Sequence, residues 1–234
     1  MGKLNFLIQN IQAVLFFESF AFRNKLAIAS KINDAVGHLF DGDPMMLDLA
    51  PEAPPEIPRM QLKDSKSIYS LNFSLNRIDF FYNEPGKASK KYDSVRDEYL
   101  KYFFKINRLV KEDYHLGIPR IALVIKALAE IEIGSNLFLH QEFLGRKEFF
   151  QNTHALEIHA LEKTVIGQFA INRWFRIKTA RDPLGKDDNL FVEIDINTLP
   201  EKSQDFGKQE IEEFYSNGIE FAKDSFLSCF GSSL

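Results

Sequence analysis

The chain repeats one order of predicted elements: an extended apolar segment, a helix, a group of strands and a long amphipathic helix. The long helices begin near Asp93 and Phe206, and the extended segments that open the two halves are separated by the same number of residues. We therefore predict an α+β protein with two pseudo-repeated halves, residues 1–115 and 116–234, that share a core. Each half is expected to hold an antiparallel-rich sheet, an internal helix and a long closing helix.

Hydrophobic periodicity supports this order in the first half. Tyr69, Leu71 and Phe73 alternate with mostly polar residues, which is typical of a half-buried strand. Five prolines argue against a helix between residues 41 and 58 and favour an extended loop. The predicted elements are a strand at 4–18, a helix at 23–40, the loop at 41–58, a hairpin at 67–82 and a long helix at 93–110.

The second half opens with a segment that fits two structures. In residues 118–131 the apolar side chains match both a strand and a helix, and the parallel with the first half favours a strand. The rest is predicted as a short helix at 136–144, strands at 154–166, 169–180 and 190–197, a hairpin loop at 181–189 and a closing helix from about 206. The best local echo between the halves, FSLNR at 73–77 against FAINR at 169–173, falls out of register, so the repeat is an architectural prediction.

Composition limits the class of partner and the compartment. The net charge of −4 argues against a protein whose main partner is a phosphate backbone, because Lys and Arg drive such binding. The single cysteine, Cys229, excludes an internal disulfide and is expected in the core. No secretory signal or membrane-spanning segment is visible at the N-terminus, so a cytoplasmic protein without membrane contact is expected.

No motif predicts catalysis, a metal or a cofactor. His154 and His159 are the only close histidine pair, and an odd separation on a strand sends their side chains to opposite faces. Asp41 and Asp43 flank a glycine after a helix, which is more typical of a turn than of a metal site. A third interpretation is an enzyme whose acids and bases come together from distant positions.

One surface carries a sharper hypothesis. On the strand 169–180, the core-facing set Phe169, Ile171, Phe175 and Ile177 leaves Trp174, Arg176 and Lys178 together on the opposite face. On the next strand, Glu193 and Asp195 would lie beside them if the two strands pair. Trp and Arg are enriched in binding hot spots, so this surface is a candidate site for a partner. The alternative is a cross-strand ion-pair ladder with Trp174 covered by a helix.

Four segments carry a resemblance that spans nearly the whole chain. They are PPEIPRMQLKDSKSIYSLNFSLNRIDFFYN at 54–83, LGIPRIALVIKALAEIE at 116–132, LFVEIDINTLP at 190–200 and DSFLSCF at 224–230. The chain resembles a family of sporadically distributed bacterial proteins of unassigned function, about 250 residues long, that often occur near mobile or defence genes. The resemblance implies a two-part α+β protein with an accessory role in bacterial conflict systems, and it carries over no functional residues.

Two functions remain open from the sequence. The leading one is a non-enzymatic cytoplasmic subunit, adaptor or regulator that binds another protein, because no convergent polar constellation accompanies the candidate surface. The alternative is a protein that binds single-stranded RNA or DNA through aromatic side chains and Arg or Lys on a sheet face. Trp174, Arg176 and Lys178 would then stack on bases and contact phosphates, whereas Glu193 and Asp195 count against this alternative.

Overall fold

In the computed structural model, residues 4–50, 52–84, 92–131, 134–145, 155–180, 189–202 and 204–231 are described. Within these ranges the chain forms four α-helices and one nine-stranded sheet in which every pair of neighbours is antiparallel. The α+β class predicted from the sequence is confirmed. The predicted position of His154 and nearly all of the predicted hairpin loop 181–189 lie outside the described residues.

The strands follow the predicted order, with two additions. They are β1 (Phe6–Phe16), β2 (Met45–Met46), β3 (Met60–Lys63), β4 (Tyr69–Phe73), β5 (Arg77–Asn83), β6 (Arg120–Glu130), β7 (Glu157–Ile166), β8 (Phe169–Ala180) and β9 (Asn189–Thr198). Their order across the sheet is β2-β3-β4-β5-β1-β6-β9-β8-β7. The sequence missed β2 and β3, which are short and lie within or directly after the Pro-rich stretch. The ambiguous segment 118–131 forms a strand, as preferred.

The helices are α1 (Lys25–Ala35), α2 (Tyr92–Arg108), α3 (Ser135–Phe143) and α4 (Lys208–Phe230). At the start of α1, the Asn24 side chain accepts a hydrogen bond from the Ala27 N–H, which satisfies a donor that the first helical turn leaves free. The α2 helix continues into a π-helical turn, Leu109–Asp113. The α4 helix ends at Gly231 in a left-handed conformation that glycine adopts without strain.

The helices cover one face of the sheet. On β6, Ile121, Leu123 and Ile125 are fully buried on this face, whereas the alternating Val124 and Lys126 are half-buried. Burial of one side-chain set and partial exposure of the other is the pattern of an antiparallel sheet with a single covered face. The helices therefore leave the second face of the sheet uncovered within the described residues, and we call this surface the open face.

A buried tyrosine anchors the helical layer at the centre of the sheet, where β1 and β6 pair. The Tyr215 hydroxyl on α4 donates toward the carbonyl oxygens of Val14 (2.8 Å) and Ala122 (3.0 Å) and accepts from the Val14 N–H at 3.1 Å. Because β1 comes from the first half and β6 from the second, this side chain joins the two. One sheet and one apolar core therefore run through both halves.

The two outer edges of the sheet differ in how their backbone groups are satisfied. The outer side of β3 is bonded along its length. β2 pairs with Met60 and Gln61, and the Lys63 carbonyl accepts from the Gly42 N–H at 3.0 Å. Just before β3, the Arg59 carbonyl accepts from the Leu47 N–H at 3.0 Å. A Cβ on Gly42 would come within 2.9 Å of the Lys63 oxygen, so glycine permits this close approach. The other outermost strand, β7, pairs only with β8 among the described strands.

Candidate functional site

The candidate surface predicted from the sequence lies on the open face. Alternation along β8 puts Ile171 and Ile177 on the helix side and leaves Trp174 and Arg176 half-buried on the other side. The register of β8 with β9 pairs Trp174 with Asp195 and Arg176 with Glu193. We call the following residues the Trp174 patch: Trp174, Arg176, Lys178, Glu193 and Asp195.

An ion-pair ladder crosses three strands at this patch. The Arg176 guanidinium donates a hydrogen bond to the Glu193 carboxylate and approaches Asp195 at 3.9 Å, and the Lys126 ammonium lies 3.6 Å from Glu193. Lys126 belongs to β6, which the sequence did not connect to the site because the pairing of β6 with β9 is non-local. Opposite charges on neighbouring strands each contribute about 0.2–1 kcal/mol, and they hold the side chains in fixed positions.

The indole of Trp174 lies at the edge of this ion-pair ladder. The Arg176 guanidinium is 5.3 Å from the centroid of the Trp174 ring, a cation–π arrangement that orients both side chains. On the far side, Trp174 is paired with Leu161 of β7, which is 48% exposed. The patch therefore has an aromatic centre, charges of both signs on one side and an exposed apolar side chain on the other.

Lys178 lies on the same face but makes a separate contact. Its Nζ is 5.1 Å from the ring centroid of Phe191, the residue paired with it on β9. The structure therefore groups Trp174, Arg176, Glu193 and Asp195 and places Lys178 beside them. The sequence did not single out Phe191.

Burial changes the acidity of one carboxyl in the patch. Desolvation raises the pKa of Asp195 above its ordinary value, and the Asn197 side-chain amide and Arg176 oppose this shift by stabilising the charged form. The Asp195 carboxylate is therefore held in the patch with little free hydration.

The alternative to a partner site is an ion-pair ladder with Trp174 covered by a helix, and only the first of these two features is present. The cross-strand ladder is present, but Trp174 lies on the face opposite the helical layer rather than beneath a helix. The charged side chain of β8 that does pack against the helices is Arg173. It donates to Ser225 Oγ at 2.9 Å, pairs with Glu162, and lies 4.9 Å from the Phe221 ring centroid. Alternation along β8 places Arg173 on the same face as Ile171 and Phe175, so the sequence could have predicted this position. The prediction named only the apolar residues of that face.

The other sequence candidates have structural explanations. The Asp41 carboxylate accepts from the N–H and hydroxyl of Ser65, so it joins the loop after α1 to the connection between β3 and β4 rather than closing a local turn. His159 contacts Glu157 at 2.8 Å on the open face. Cys229 is exposed, so its predicted core position is wrong. No group of three His, Cys, Asp or Glu side chains among the described residues is arranged to hold a metal ion.

A cleft of about 490 Å³ at one end of the sheet includes Phe17, His115, Leu116 and Asp205. The Asp205 carboxylate already accepts from the Ile118 N–H at 2.7 Å and from the Lys111 ammonium at 2.8 Å. These bonds tie the start of α4 to the segment before β6, so Asp205 has a structural role.

No protein-family model matches the chain, and no curated protein matches it. Within the described part of the chain, none of the helices is both long enough and apolar enough to cross a membrane.

Proposed function

We propose that this protein is a non-enzymatic subunit, adaptor or regulator that binds another protein through the Trp174 patch. The observation that carries the proposal is the position of Trp174, half-exposed on the open face and bordered by the ladder of Lys126, Glu193 and Arg176. Trp and Arg dominate binding energy at protein interfaces when they occupy pre-arranged positions. The ladder arranges them before a partner arrives.

The balance of charge in the patch favours a protein partner over a nucleic acid. Arg176 is already paired with Glu193 and lies near Asp195, so its charge is largely compensated. A phosphate backbone requires uncompensated Lys and Arg, because the release of counterions drives that association. A protein surface with charges of both signs can instead exchange ion pairs with the ladder around a central aromatic contact.

One observation favours the second candidate, a single-stranded nucleic acid. On the open face the ring of Phe16 lies between two guanidinium groups, those of Arg77 at 5.9 Å and Arg120 at 4.9 Å. Alternating aromatic and basic side chains can stack on bases and contact phosphates. Asp79 binds Arg77 through both of its oxygens, which lowers the charge available to phosphate.

The proposal includes three finer points that come from the sequence. The two pseudo-repeated halves, 1–115 and 116–234, are proposed to build a common scaffold, with binding concentrated in the second half. A cytoplasmic location is proposed, and the single cysteine, which leaves no internal disulfide, agrees with it. The resemblance to the bacterial family extends the proposal to an accessory role in defence systems.

The test begins with capture of a partner from the native host by the tagged chain, followed by titration with the purified partner. Trp174→Ala is expected to weaken the affinity about thirtyfold, which corresponds to a hot-spot contribution of ~2 kcal/mol. Leu227→Ala, which truncates an exposed apolar side chain on α4, is the matched control and should leave the affinity unchanged. Equal affinities of wild type and Trp174→Ala would contradict the proposal.

The same variants distinguish the second candidate. Fluorescence anisotropy with a labelled single-stranded oligonucleotide should show no binding at 150 mM salt if the function is protein binding. Binding that weakens steeply with salt and is lost in Trp174→Ala would replace the proposal with nucleic-acid binding.

A further inference from the structure

The strand β7 forms an exposed edge of the sheet. Seven of its ten residues are exposed, and among the described strands it pairs only with β8. An edge strand presents a row of unpaired N–H and C=O groups, which proteins often cover or shorten to prevent association. The opposite edge is covered by β2 and by the contacts of Gly42 and Leu47. The β7 edge has no such cover in the described part of the chain.

The register identifies the backbone groups that point outward. The Thr179 N–H donates to the Leu156 carbonyl at 3.2 Å, so these two residues form a hydrogen-bonded pair. Bonded and non-bonded pairs alternate along an antiparallel ladder, so the even-numbered residues of β7 are bonded to β8. The N–H and C=O groups of His159, Leu161 and Lys163 therefore point to the free edge.

The side chains of the same odd-numbered residues lie on the open face and form a short pattern. Leu161 is 48% exposed and Val165 is 58% exposed. The Lys163 side chain is 65% exposed, and its ammonium lies 3.3 Å from the exposed Glu201 carboxylate, a surface ion pair that contributes little stability and that an acidic partner residue can replace. Leu161 lies opposite Trp174, so this row continues the Trp174 patch to the edge of the sheet. The row reads apolar, basic, apolar.

We propose that an extended segment of a partner protein pairs with the free edge of β7 and adds a tenth strand to the sheet. The complementary segment has an apolar residue, an acidic residue and an apolar residue at alternate positions, facing Leu161, Lys163 and Val165. Main-chain hydrogen bonds hold the segment, and the alternate side chains select its sequence. Because this pattern is symmetric, it matches the row on β7 whether the segment runs parallel or antiparallel to the strand. The inference rests on the proposed function, because it specifies how the protein partner is held.

A second copy of the chain fits this edge less well. Two-fold antiparallel pairing centred on Lys163 or on Glu162 places identical charges opposite each other. Pairing centred on Leu161 places Lys163 opposite His159 of the second copy, and pairing centred on Ala160 places Leu161 opposite that histidine. Each of these registers leaves a like-charge or an apolar–polar opposition, which destabilises a cross-strand pair.

The test uses the full chain and two labelled, end-capped peptides, Thr-Val-Thr-Glu-Thr-Val-Thr and the same sequence with Lys in place of Glu. Fluorescence anisotropy should show that the Glu peptide binds about fivefold more tightly than the Lys peptide. Lys163→Glu should reverse this preference. This charge exchange does not depend on any loss of folding.

A proline on the edge tests the backbone contact. Leu161→Pro removes an outward N–H without breaking a bond to β8 and should abolish binding of both peptides, whereas Leu161→Ala should keep the preference for Glu. Thermal unfolding checks that each variant is folded. Unchanged peptide binding by folded Leu161→Pro, no binding by either peptide, or a wild-type dimer that the Glu peptide does not dissociate would overturn the inference.

The two proposals fail in different ways. If the natural partner binds Leu161→Pro with wild-type affinity but loses affinity for Trp174→Ala, the edge inference is wrong and the proposed function stands. If neither variant changes the affinity, the Trp174 patch is not the binding site and the proposed function is wrong.

Discussion

The strands of the first half and those of the second half lie in one sheet, and they differ in the side chains that they place on the open face. On the first-half side, amide side chains of the open face satisfy one another: Gln61 donates to Asn72 at 2.7 Å and Asn10 donates to Asn83 at 2.9 Å. On the second-half side, the same face carries the ion-pair ladder beside Trp174 and ends at the exposed strand β7. The two parts of the open face therefore differ in surface chemistry, and the proposed binding is assigned to the part formed by the second half.

The first prediction concerns the closing helices of the two sides and has the largest expected effect. Tyr215→Phe removes a hydroxyl that contacts three backbone groups of β1 and β6, whereas Tyr99→Phe on α2 removes a donor to the Phe80 carbonyl at 2.8 Å. Buried groups left without partners are costly, so we expect losses of about 3 kcal/mol for Tyr215→Phe and about 1.5 kcal/mol for Tyr99→Phe. Urea unfolding with unchanged m-values measures both. Equal losses would show that the central junction is not specially anchored.

The second prediction tests the difference between the two edges. Lys163→Val makes the outward row of β7 entirely apolar and removes a charge that protects an edge strand from association. We expect this variant to form dimers or larger species whose proportion rises with concentration in sedimentation experiments. Lys63→Val on β3 is the matched control, because the Lys63 carbonyl is already bonded to Gly42. Association of both variants, or of neither, would remove the distinction between the edges.

The third prediction is a small effect of pH. Burial raises the pKa of Asp195, so its ionised form is disfavoured by folding and the wild type loses stability as pH rises through that pKa. Asp195→Asn does not titrate, and its stability relative to wild type should therefore be greater at pH 7 than at pH 4, by less than about 1 kcal/mol.

The control for this pH effect is an acid with the opposite shift. The hydrogen bond from Lys111 lowers the pKa of Asp205, which contributes stability above the ordinary pKa of an aspartate and loses it as pH falls. Asp205→Asn should therefore cost more at pH 7 than at pH 4. If both variants responded to pH with the same sign, burial would not explain the shift of Asp195.

The sequence predicted the helices and the long strands because their apolar periods persist over many residues. It missed β3, since the four residues of this strand carry too short an alternation to separate them from the Pro-rich loop that precedes them. It also missed the π-helical turn after α2, whose backbone bonds leave no side-chain period. Local alternation placed Trp174 and Arg176 on one face, but Lys126 joined them only through the pairing of β6 with β9, which no local pattern contains.

The most direct test compares two aromatic side chains in one cross-strand row of the open face. Phe81 of β5 and Trp174 of β8 are linked through Gln12, Val124 and Asp195 on the strands between them. The measurement is the affinity of the natural partner for folded Trp174→Ala and folded Phe81→Ala. We expect about a thirtyfold loss for Trp174→Ala and less than about a twofold change for Phe81→Ala. Equal losses, or a larger loss for Phe81→Ala, would contradict a binding site confined to the second half.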